Sequence, residues 1–203
     1  MRQLPLPISA AAKPSLDNYI AGANAEALER VRSLARGELK EAIVYLWGGP
    51  GSGRTHLLSA AASANPALVT ADDVDGLGAA AQQALFSAIN GAREGGPAVL
   101  AAGSAPPAQL GLREDLRTRL GWGLVYHLKP LGDAEKALYL REEAARRGFA
   151  LSEEVIWYLL NHLPRDLGRL HAVLERLDRD SLARQRAVTV PLVRDVLSKY
   201  NDD

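Results

Sequence analysis

The 203-residue chain has no cysteine, which excludes disulfides, thiolate metal sites and cysteine nucleophiles. It also has no excess of one charge, since 24 lysines and arginines balance 24 aspartates and glutamates. Proteins that grip a DNA backbone usually carry a basic excess, so the charge does not predict direct, sequence-specific DNA binding. No apolar run approaches the roughly 18 residues of a membrane span, and early prolines would interrupt a signal peptide. These absences predict a cytoplasmic protein without membrane association.

The chain divides into segments with different patterns. Up to Pro130, short apolar stretches alternate with helical ones, whereas every periodic stretch beyond it is helical. The predicted strands are 43–47, 68–71, 98–102 and 124–128. Strands that alternate with helices are typical of a parallel sheet covered on both faces. The sequence therefore predicts an extended tail over residues 1–14, an α/β domain over 15–130 and an all-helical domain over 131–203.

Capping residues predict where several helices begin and end. Asn24 is the predicted N-cap of a helix that runs to Arg36, and Gly37 follows that helix. In the helical domain, Asp133 and Ser152 are the predicted N-caps of the first two helices. Such residues favour helix ends because they satisfy, or make room for, backbone groups that a terminus leaves without a partner.

A glycine-rich segment follows the first predicted strand and opens a helix. Gly48-x-x-x-x-Gly53-Arg54-Thr55 has the spacing of a phosphate loop, with arginine in the usual lysine position. Backbone N–H groups of such a loop surround phosphates, and the following helix adds its positive dipole end. A glycine-rich turn without a ligand is the alternative. The predicted nucleotide contacts from this segment are Gly48, Gly49, Pro50, Gly51, Ser52, Gly53, Arg54, Thr55 and His56.

Arg54 changes what this loop is expected to do. A guanidinium binds phosphate well and bidentately, but it is planar and bulkier than the compact ammonium of lysine. We therefore expect nucleotide binding with slow intrinsic hydrolysis. The loop alone does not decide whether the site prefers a diphosphate to a triphosphate.

Two acidic residues follow the second predicted strand. Asp72 and Thr55 are the predicted Mg²⁺ ligands, with Asp72 acting through water, and Asp73 is predicted to orient the attacking water. Aspartates also form turns and cap helices, which is the alternative role for this pair.

Several of these segments resemble the Hda family of DnaA-related AAA+ proteins, and the resemblance covers nearly the whole chain. Arg54-Thr55-His56-Leu57-Leu58 is similar to the phosphate-loop helix of that family, so the arginine is a family mark. Residues 16–24 resemble the segment that packs near the adenine, which implies nucleotide contacts from Tyr19 and Ile20. Gln3-Leu4-Pro5-Leu6-Pro7 resembles the peptide with which the family binds the replicative sliding clamp. Without the resemblance, this tail would be an ordinary disordered terminus.

The resemblance continues downstream. It implies that Ser104 is the polar first sensor and that Arg119, within residues 115–123, is the arginine finger. Arg165, within residues 163–167, matches the second-sensor position. Taken alone, both arginines would be exposed charges near helices.

The resemblance implies a P-loop AAA+ parallel sheet with a small C-terminal helical lid. It also implies a departure, because the family has an extra strand and helix between the phosphate-loop helix and the acidic pair. Here only residues 56–71 fill that span, enough for one helix and one strand. We therefore expect a sheet shortened by one edge strand.

The function implied is negative regulation of replication initiation. Bound to ADP (or ATP) with Mg²⁺ and docked on the sliding clamp, the protein would present Arg119 to ATP-loaded DnaA and stimulate its hydrolysis. Its own ATPase activity would be weak or absent. Assembly into a homo-oligomer is compatible with this function. The alternatives are an autonomous P-loop ATPase of the clamp-loader or DNA-remodelling type, and an adaptor whose nucleotide is only structural.

Overall fold

The computed structural model describes residues 13–163, 167–184 and 188–200. They fall into two compact units, one from Lys13 to Pro130 and one from Leu131 onward. The predicted clamp-binding residues Gln3, Leu4, Pro5, Leu6 and Pro7 lie outside the described residues, as does Arg165. Within the described ranges, no helix combines the length and apolarity needed to cross a bilayer.

A parallel sheet forms the centre of the first unit. Its strands are β1 (Ile43–Trp47), β2 (Val69–Ala71), β3 (Val99–Gly103) and β4 (Leu124–His127). They are arranged in the order β2-β3-β1-β4, and each pair of neighbours is parallel. The expected parallel sheet is confirmed, with four strands among the described residues. β2, which lies at the end of residues 56–71, is at one edge of the sheet.

Helices cover both faces of this sheet. They are α1 (Ala25–Ala35), α2 (Arg54–Ala64), α3 (Ala79–Arg93) and α4 (Glu114–Leu120). Because strand side chains alternate, Val44 and Leu46 of β1 pack in the cluster formed with α1 and α2, while Ile43 and Tyr45 pack in the cluster formed with α3 and α4. β1 is therefore buried on both faces, as expected for a central strand of a parallel sheet.

The second unit is helical in its described residues. It contains α5 (Asp133–Arg146), α6 (Glu153–His162), α7 (Leu167–Arg184) and α8 (Val190–Tyr200) around a shared apolar core. Ser152 caps α6 as predicted, since its Oγ accepts a hydrogen bond from the Val155 N–H at 3.3 Å. The prediction for α5 was wrong by one residue: Gly132 is the N-cap, and its N–H donates to Glu135 Oε2 at 2.7 Å.

A buried polar group ties α5 to α7 in this unit. The side chains of Glu143 and Arg147 are 4% and 3% exposed and pair at 2.7 Å. His171 of α7 lies 2.8 Å from the Tyr139 hydroxyl through Nδ1 and 3.1 Å from Arg147 through Nε2. Burial and the neighbouring Arg147 charge lower the pKa of His171, so the imidazole is neutral at pH 7. An uncharged ring of α7 thus contacts the arginine of this ion pair.

Asn24 is the N-cap residue of α1, as predicted, but its side chain makes no capping hydrogen bond to the helix. It is 4% exposed and reaches across the first unit to the backbone after β4. Its Nδ2 donates to the Lys129 carbonyl oxygen and its Oδ1 accepts from the Lys129 N–H, both at 2.8 Å. The amide replaces the partners that a neighbouring strand would give this backbone, which fixes the exit of β4 against α1.

Replacing Asn24 with Ala should destabilise the first unit. The change removes both hydrogen bonds to the Lys129 backbone, each worth about 0.5–1.5 kcal/mol, so we expect a loss of about 1–3 kcal/mol. Urea unfolding of the full chain measures this loss. Asn161→Ala, at an exposed position of α6, is the matched control and should leave the midpoint unchanged. Equal midpoints for the two variants would contradict the bridging role of Asn24.

Candidate functional site

The glycine-rich loop leaves β1 at the carboxyl end of the sheet and takes a shape that depends on glycine. Gly51 and Gly53 have φ of +75° and +90°, in the left-handed region that glycine adopts without strain. Gly48 donates its N–H to the Gly103 carbonyl at 3.3 Å, and a side chain at Gly48 would collide with the Leu128 carbonyl. The loop is therefore held close to the ends of the neighbouring strands before α2 begins at Arg54.

Tyr19 and His56 brace this loop from one side. The Tyr19 ring lies against Gly53, and its hydroxyl donates to the Ser52 carbonyl at 3.4 Å. His56 packs with its ring centroid 5.5 Å from that of Tyr19, and its Nε2 is 3.0 Å from the Ser15 carbonyl. Burial raises the pKa of Tyr19 despite the bond from Asn24, so the hydroxyl stays protonated. Ile20 is half-buried beside it. Contacts of these three residues with a nucleotide stay a prediction.

Arg54 is the first residue of α2, and its side chain is only 14% exposed. Its Nη2 lies 3.3 Å from Asp73 Oδ1, on a side chain that is 74% exposed. Within the described residues, the buried Arg54 Nη1 and the buried Ser52 Oγ have no hydrogen-bond partner. Buried polar atoms normally have a partner, so two orphaned groups beside a phosphate loop fit the oxygen atoms of a bound phosphate.

The two predicted Mg²⁺ ligands lie together. Asp72 directly follows β2, and its Oδ2 accepts a hydrogen bond from Thr55 Oγ1 at 2.6 Å. Mg²⁺ prefers oxygen ligands and usually keeps waters and substrate phosphates in its coordination shell, so this hydroxyl–carboxylate pair fits the ion. The described residues contain no cluster of three or more histidines, aspartates and glutamates able to hold a metal ion alone.

Asp73 is held differently from Asp72. Its backbone is left-handed, with φ of +42°, and its N–H donates to Asp72 Oδ1 at 2.9 Å. This unusual conformation for a non-glycine residue turns its carboxylate toward Arg54. The predicted role of Asp73 in orienting water stays a prediction, while the structure gives it a salt bridge to Arg54.

A third aspartate belongs to this site, and the sequence analysis did not select it. Asp75 lies in a 3₁₀ turn, Val74–Gly76, and binds Ser104, which follows β3. Its Oδ1 accepts from Ser104 Oγ at 2.6 Å and its Oδ2 from the Ser104 N–H at 2.8 Å. Burial alone would raise the pKa of Asp75, but the bonds from Ser104 and the charge of Arg54 lower it below its usual value. The predicted sensor Ser104 is therefore paired with an ionised carboxylate.

The predicted arginine finger lies in a separate cluster between α3 and α4. Arg119 Nε donates to Asn90 Oδ1 at 2.7 Å, and the guanidinium carbon lies 4.0 Å from the centre of the Phe86 ring. Trp122 lies on the same guanidinium, 4.9 Å away, and is itself covered by Arg93 at 4.2 Å. Sequence analysis missed Asn90 and Phe86, whose four-residue spacing on one helix face was the available signal.

Arg119 and the phosphate loop lie at opposite ends of the sheet. The loop follows Trp47 at the end of β1, whereas Gly123, four residues after Arg119, packs against Ile43 at its start. Four residue steps of a strand span about 13 Å. The hydrogen bonds of Arg119 go to Asn90 and to the Asp115 carbonyl. The structure thus separates Arg119 from the other predicted site residues and places Thr55, Asp72, Asp73 and Ser104 at the carboxyl edge.

Comparison with solved structures defines the class of the fold. DnaA domain III from Thermotoga maritima superposes with a TM-score of 0.77 at 19% identity, over 92% of this chain and 96% of that one. AMPPCP-bound DnaA from Aquifex aeolicus gives 0.68 at 22% identity, over 81% and 65%. The Thermotoga maritima RuvB Holliday junction branch migration motor gives 0.68 at 19%, over 94% and 73%. The chain has the AAA+ fold, as predicted.

The helical unit gives a more specific match than the comparisons of the fold. Residues 133–197 match the family of the Hda lid domain. The predicted resemblance to Hda is thereby confirmed over this domain. The match covers α5, α6, α7 and most of α8, and it says nothing about the roles of individual residues in the first unit.

Replacing Gly53 with Ala should strain the loop even without a nucleotide. The left-handed backbone disfavours any side chain, and the new Cβ would lie 2.7 Å from Tyr19 Cε2, so we expect a loss of about 1–3 kcal/mol. Thermal unfolding without nucleotide measures the effect. Gly49→Ala is the matched control, because its Cβ would meet nothing within 4 Å. If both variants unfold at the parent temperature, the loop does not have this conformation in solution.

Proposed function

We propose that this protein binds a nucleotide at the loop Gly48–Thr55 and regulates DnaA from that state. The orphaned Arg54 Nη1 and Ser52 Oγ support phosphate binding, and the Thr55–Asp72 pair supports Mg²⁺. The similarly folded Aquifex aeolicus DnaA binds AMPPCP, a nucleotide analogue. Bound Mg²⁺ would neutralise phosphate charge at this edge, while Thr55 and Asp72 orient it.

The nucleotide proposed for the active form is ADP. Arg54 offers a broad, planar guanidinium whose charge also acts on Asp73 and Asp75. A lysine at this position acts as a compact charge that follows the transferred phosphate, whereas arginine holds phosphate oxygens bidentately. Such a site suits retention of a nucleotide rather than rapid turnover. Tyr19, Ile20 and His56 close the side of the loop where the base would lie, and Arg165 is the proposed second sensor.

The chemistry proposed for this protein occurs in its partner, and the position of Arg119 is the observation that supports it. The guanidinium is already oriented by Asn90 and Phe86, at the end of the sheet opposite its own phosphate loop. An arginine fixed there can reach a nucleotide only on another molecule. Offered to the γ-phosphate bound by DnaA, it would stabilise charge that develops in the transition state. Arginines supplied in this way contribute about 10³–10⁵-fold in rate.

The sliding clamp is the second proposed partner. The segment Gln3-Leu4-Pro5-Leu6-Pro7 would bind the clamp and hold the protein where DnaA is to be inactivated. Support for this assignment comes from the resemblance of the tail to the clamp-binding peptide and from the Hda lid of the same chain. The outcome would be negative regulation of replication initiation in the cytoplasm.

A reconstitution with ADP, DNA-loaded clamp and ATP-bound DnaA tests the finger directly. The parent protein should accelerate hydrolysis by DnaA, and Arg119→Ala should reduce the rate to that of DnaA alone, because the charge that stabilises the transition state is gone. Arg36→Ala removes an exposed arginine that follows α1 and pairs with Glu38, so this variant should keep full stimulation. Full stimulation by Arg119→Ala would instead identify an adaptor whose nucleotide is only structural.

The same assay without DnaA distinguishes the proposal from an autonomous ATPase. Thr55, Asp72 and Asp73 retain the groups that such an enzyme needs, so this alternative has a specific basis. Steady-state turnover of the isolated protein near typical enzyme rates of about 1–10³ s⁻¹ would overturn the proposal that hydrolysis takes place in the partner.

Replacing Gln3 and Leu4 with alanine should abolish clamp binding without changing nucleotide affinity. The tail residues supply the side chains for the partner, whereas the phosphate loop lies in the first unit. Pull-down on immobilised clamp measures the first property, and titration with fluorescent ADP measures the second. The matched control is Ser9→Ala, within the tail but outside the proposed peptide. Retention of the double variant on the clamp would refute the tail assignment.

A further inference from the structure

The turn after β3 is fixed to the rest of the first unit at two points. Ser104 is held by both oxygens of Asp75, at 2.6 and 2.8 Å. One residue later, the Ala105 carbonyl accepts a hydrogen bond from the buried Tyr45 hydroxyl at 2.9 Å. Gly103 allows this close approach, since a Cβ there would lie 3.0 Å from Asp75 Oδ2 and collide with the Tyr45 hydroxyl. The sensor turn therefore cannot shift without moving Asp75 or breaking these bonds.

Asp75 is in turn connected to the beginning of α3. Its 3₁₀ turn is anchored by Val74, which is fully buried, and continues through the Leu77 N–H bond to the Val74 carbonyl at 3.2 Å. Gln82, in the first turns of α3, donates from its side chain to the Leu77 carbonyl at 2.8 Å. Its Oε1 also accepts from the Arg113 N–H, where α4 begins, at 3.3 Å. The 3₁₀ turn and the two helices are thus joined by one glutamine.

The far end of α3 holds Arg119. Asn90 and Phe86, which orient the guanidinium, lie on the same helix as Gln82, and Leu85 and Ile89 bury the adjacent face of that helix. From Ala79 to Asn90 the helix spans about 17 Å at 1.5 Å per residue. A packed helix of this length moves as a unit, so a displacement at its first turn reaches Asn90.

We propose that Asp75 is a positioning residue that couples the phosphate site to Arg119 through α3. In this coupling, a bound nucleotide displaces Ser104 and Arg54, and Asp75 moves with them. The 3₁₀ turn passes this displacement to α3, which shifts Asn90 and Phe86 beneath the guanidinium. Presentation of the finger would then depend on the nucleotide that this protein itself holds. The regulatory meaning rests on the proposed function, whereas the coupling is a property of the isolated chain.

Trp122 offers a direct readout of this coupling. It lies 4.9 Å from the Arg119 guanidinium and 4.2 Å from that of Arg93, and its side chain is 44% exposed. The chain has three tryptophans, so the double variant Trp47→Phe/Trp157→Phe leaves Trp122 as the single tryptophan, which excitation at the red edge of its absorption selects over the six tyrosines. Saturating ADP with Mg²⁺ should change its emission or its quenching by acrylamide. The measurement needs neither DnaA nor the clamp.

In this background, Asp75→Asn should lose most of the ADP-induced change, because the amide cannot accept both bonds from Ser104 as a carboxylate does. Asp75→Glu should restore part of it. Asp17→Asn, on a fully exposed side chain, should keep the whole change. ADP titrations establish that each variant is saturated. An undiminished change in saturated Asp75→Asn, or no change in the parent background, would overturn the coupling.

Gln82→Ala provides a second test if Asp75→Asn no longer binds ADP. This change leaves the phosphate site intact and removes the side-chain bonds that join the 3₁₀ turn to α3 and α4. The neighbouring Gln83→Ala, which removes only a contact to the Arg113 side chain, is its matched control. The fluorescence change should be lost in the first and kept in the second. If Gln82→Ala keeps it, the coupling does not run through α3.

The two proposals fail separately. Loss of the Trp122 response in Asp75→Asn, together with no effect of Arg119→Ala on hydrolysis by DnaA, would leave the coupling in place and reject the finger. A persistent Trp122 response in saturated Asp75→Asn, with stimulation abolished by Arg119→Ala, would support the finger and reject the coupling.

Discussion

Strand β1 has a hydrogen-bonded neighbour on each side and apolar helices on both faces, so a charged side chain in the middle of it would be buried away from water. Its two ends are where the first unit can hold polar chemistry. At the carboxyl end, the chain turns through glycines into α2, while β3 and β2 end at the same edge and bring Ser104 and Asp72. At the amino end, the junction of α4 and β4 brings Arg119. The separation of the glycine-rich loop from Arg119 follows from burial of this one strand.

The sequence was sufficient wherever one local pattern dominated. Strand 43–47 is a continuous apolar run before a glycine-rich turn, and the loop residues follow from spacing alone. Asn24 shows where this reasoning fails. The same side chain that suits an N-cap also satisfies a distant backbone, and burial against Lys129 decided between them. That partner lies 105 positions away, so no local pattern reports it.

The site was predictable in its residue types but not in its connections. Three aspartates lie within residues 72–75, and which of them reaches Ser104 depends on the 3₁₀ turn and on the pairing of β2 with β3. The left-handed backbone of Asp73 sends that side chain to Arg54 and leaves Asp75 for Ser104. Asn90 and Phe86 look like ordinary helix residues until α4 is packed beside them. Such contacts are tertiary, and sequence spacing within one element does not contain them.

The edge strand β2 has a consequence for how this fold can change. It has three residues and one neighbour, β3, so few backbone groups are left open to a foreign strand. A strand–helix unit joined at this edge would add to the sheet without altering the register of β1, β3 or β4. Evolution can therefore lengthen or trim the domain here while the edge that carries Ser104 and Asp72, and the position of Arg119, stay unchanged. For protein engineering, the loop between α2 and β2 is the natural insertion point for a reporter or a binding module.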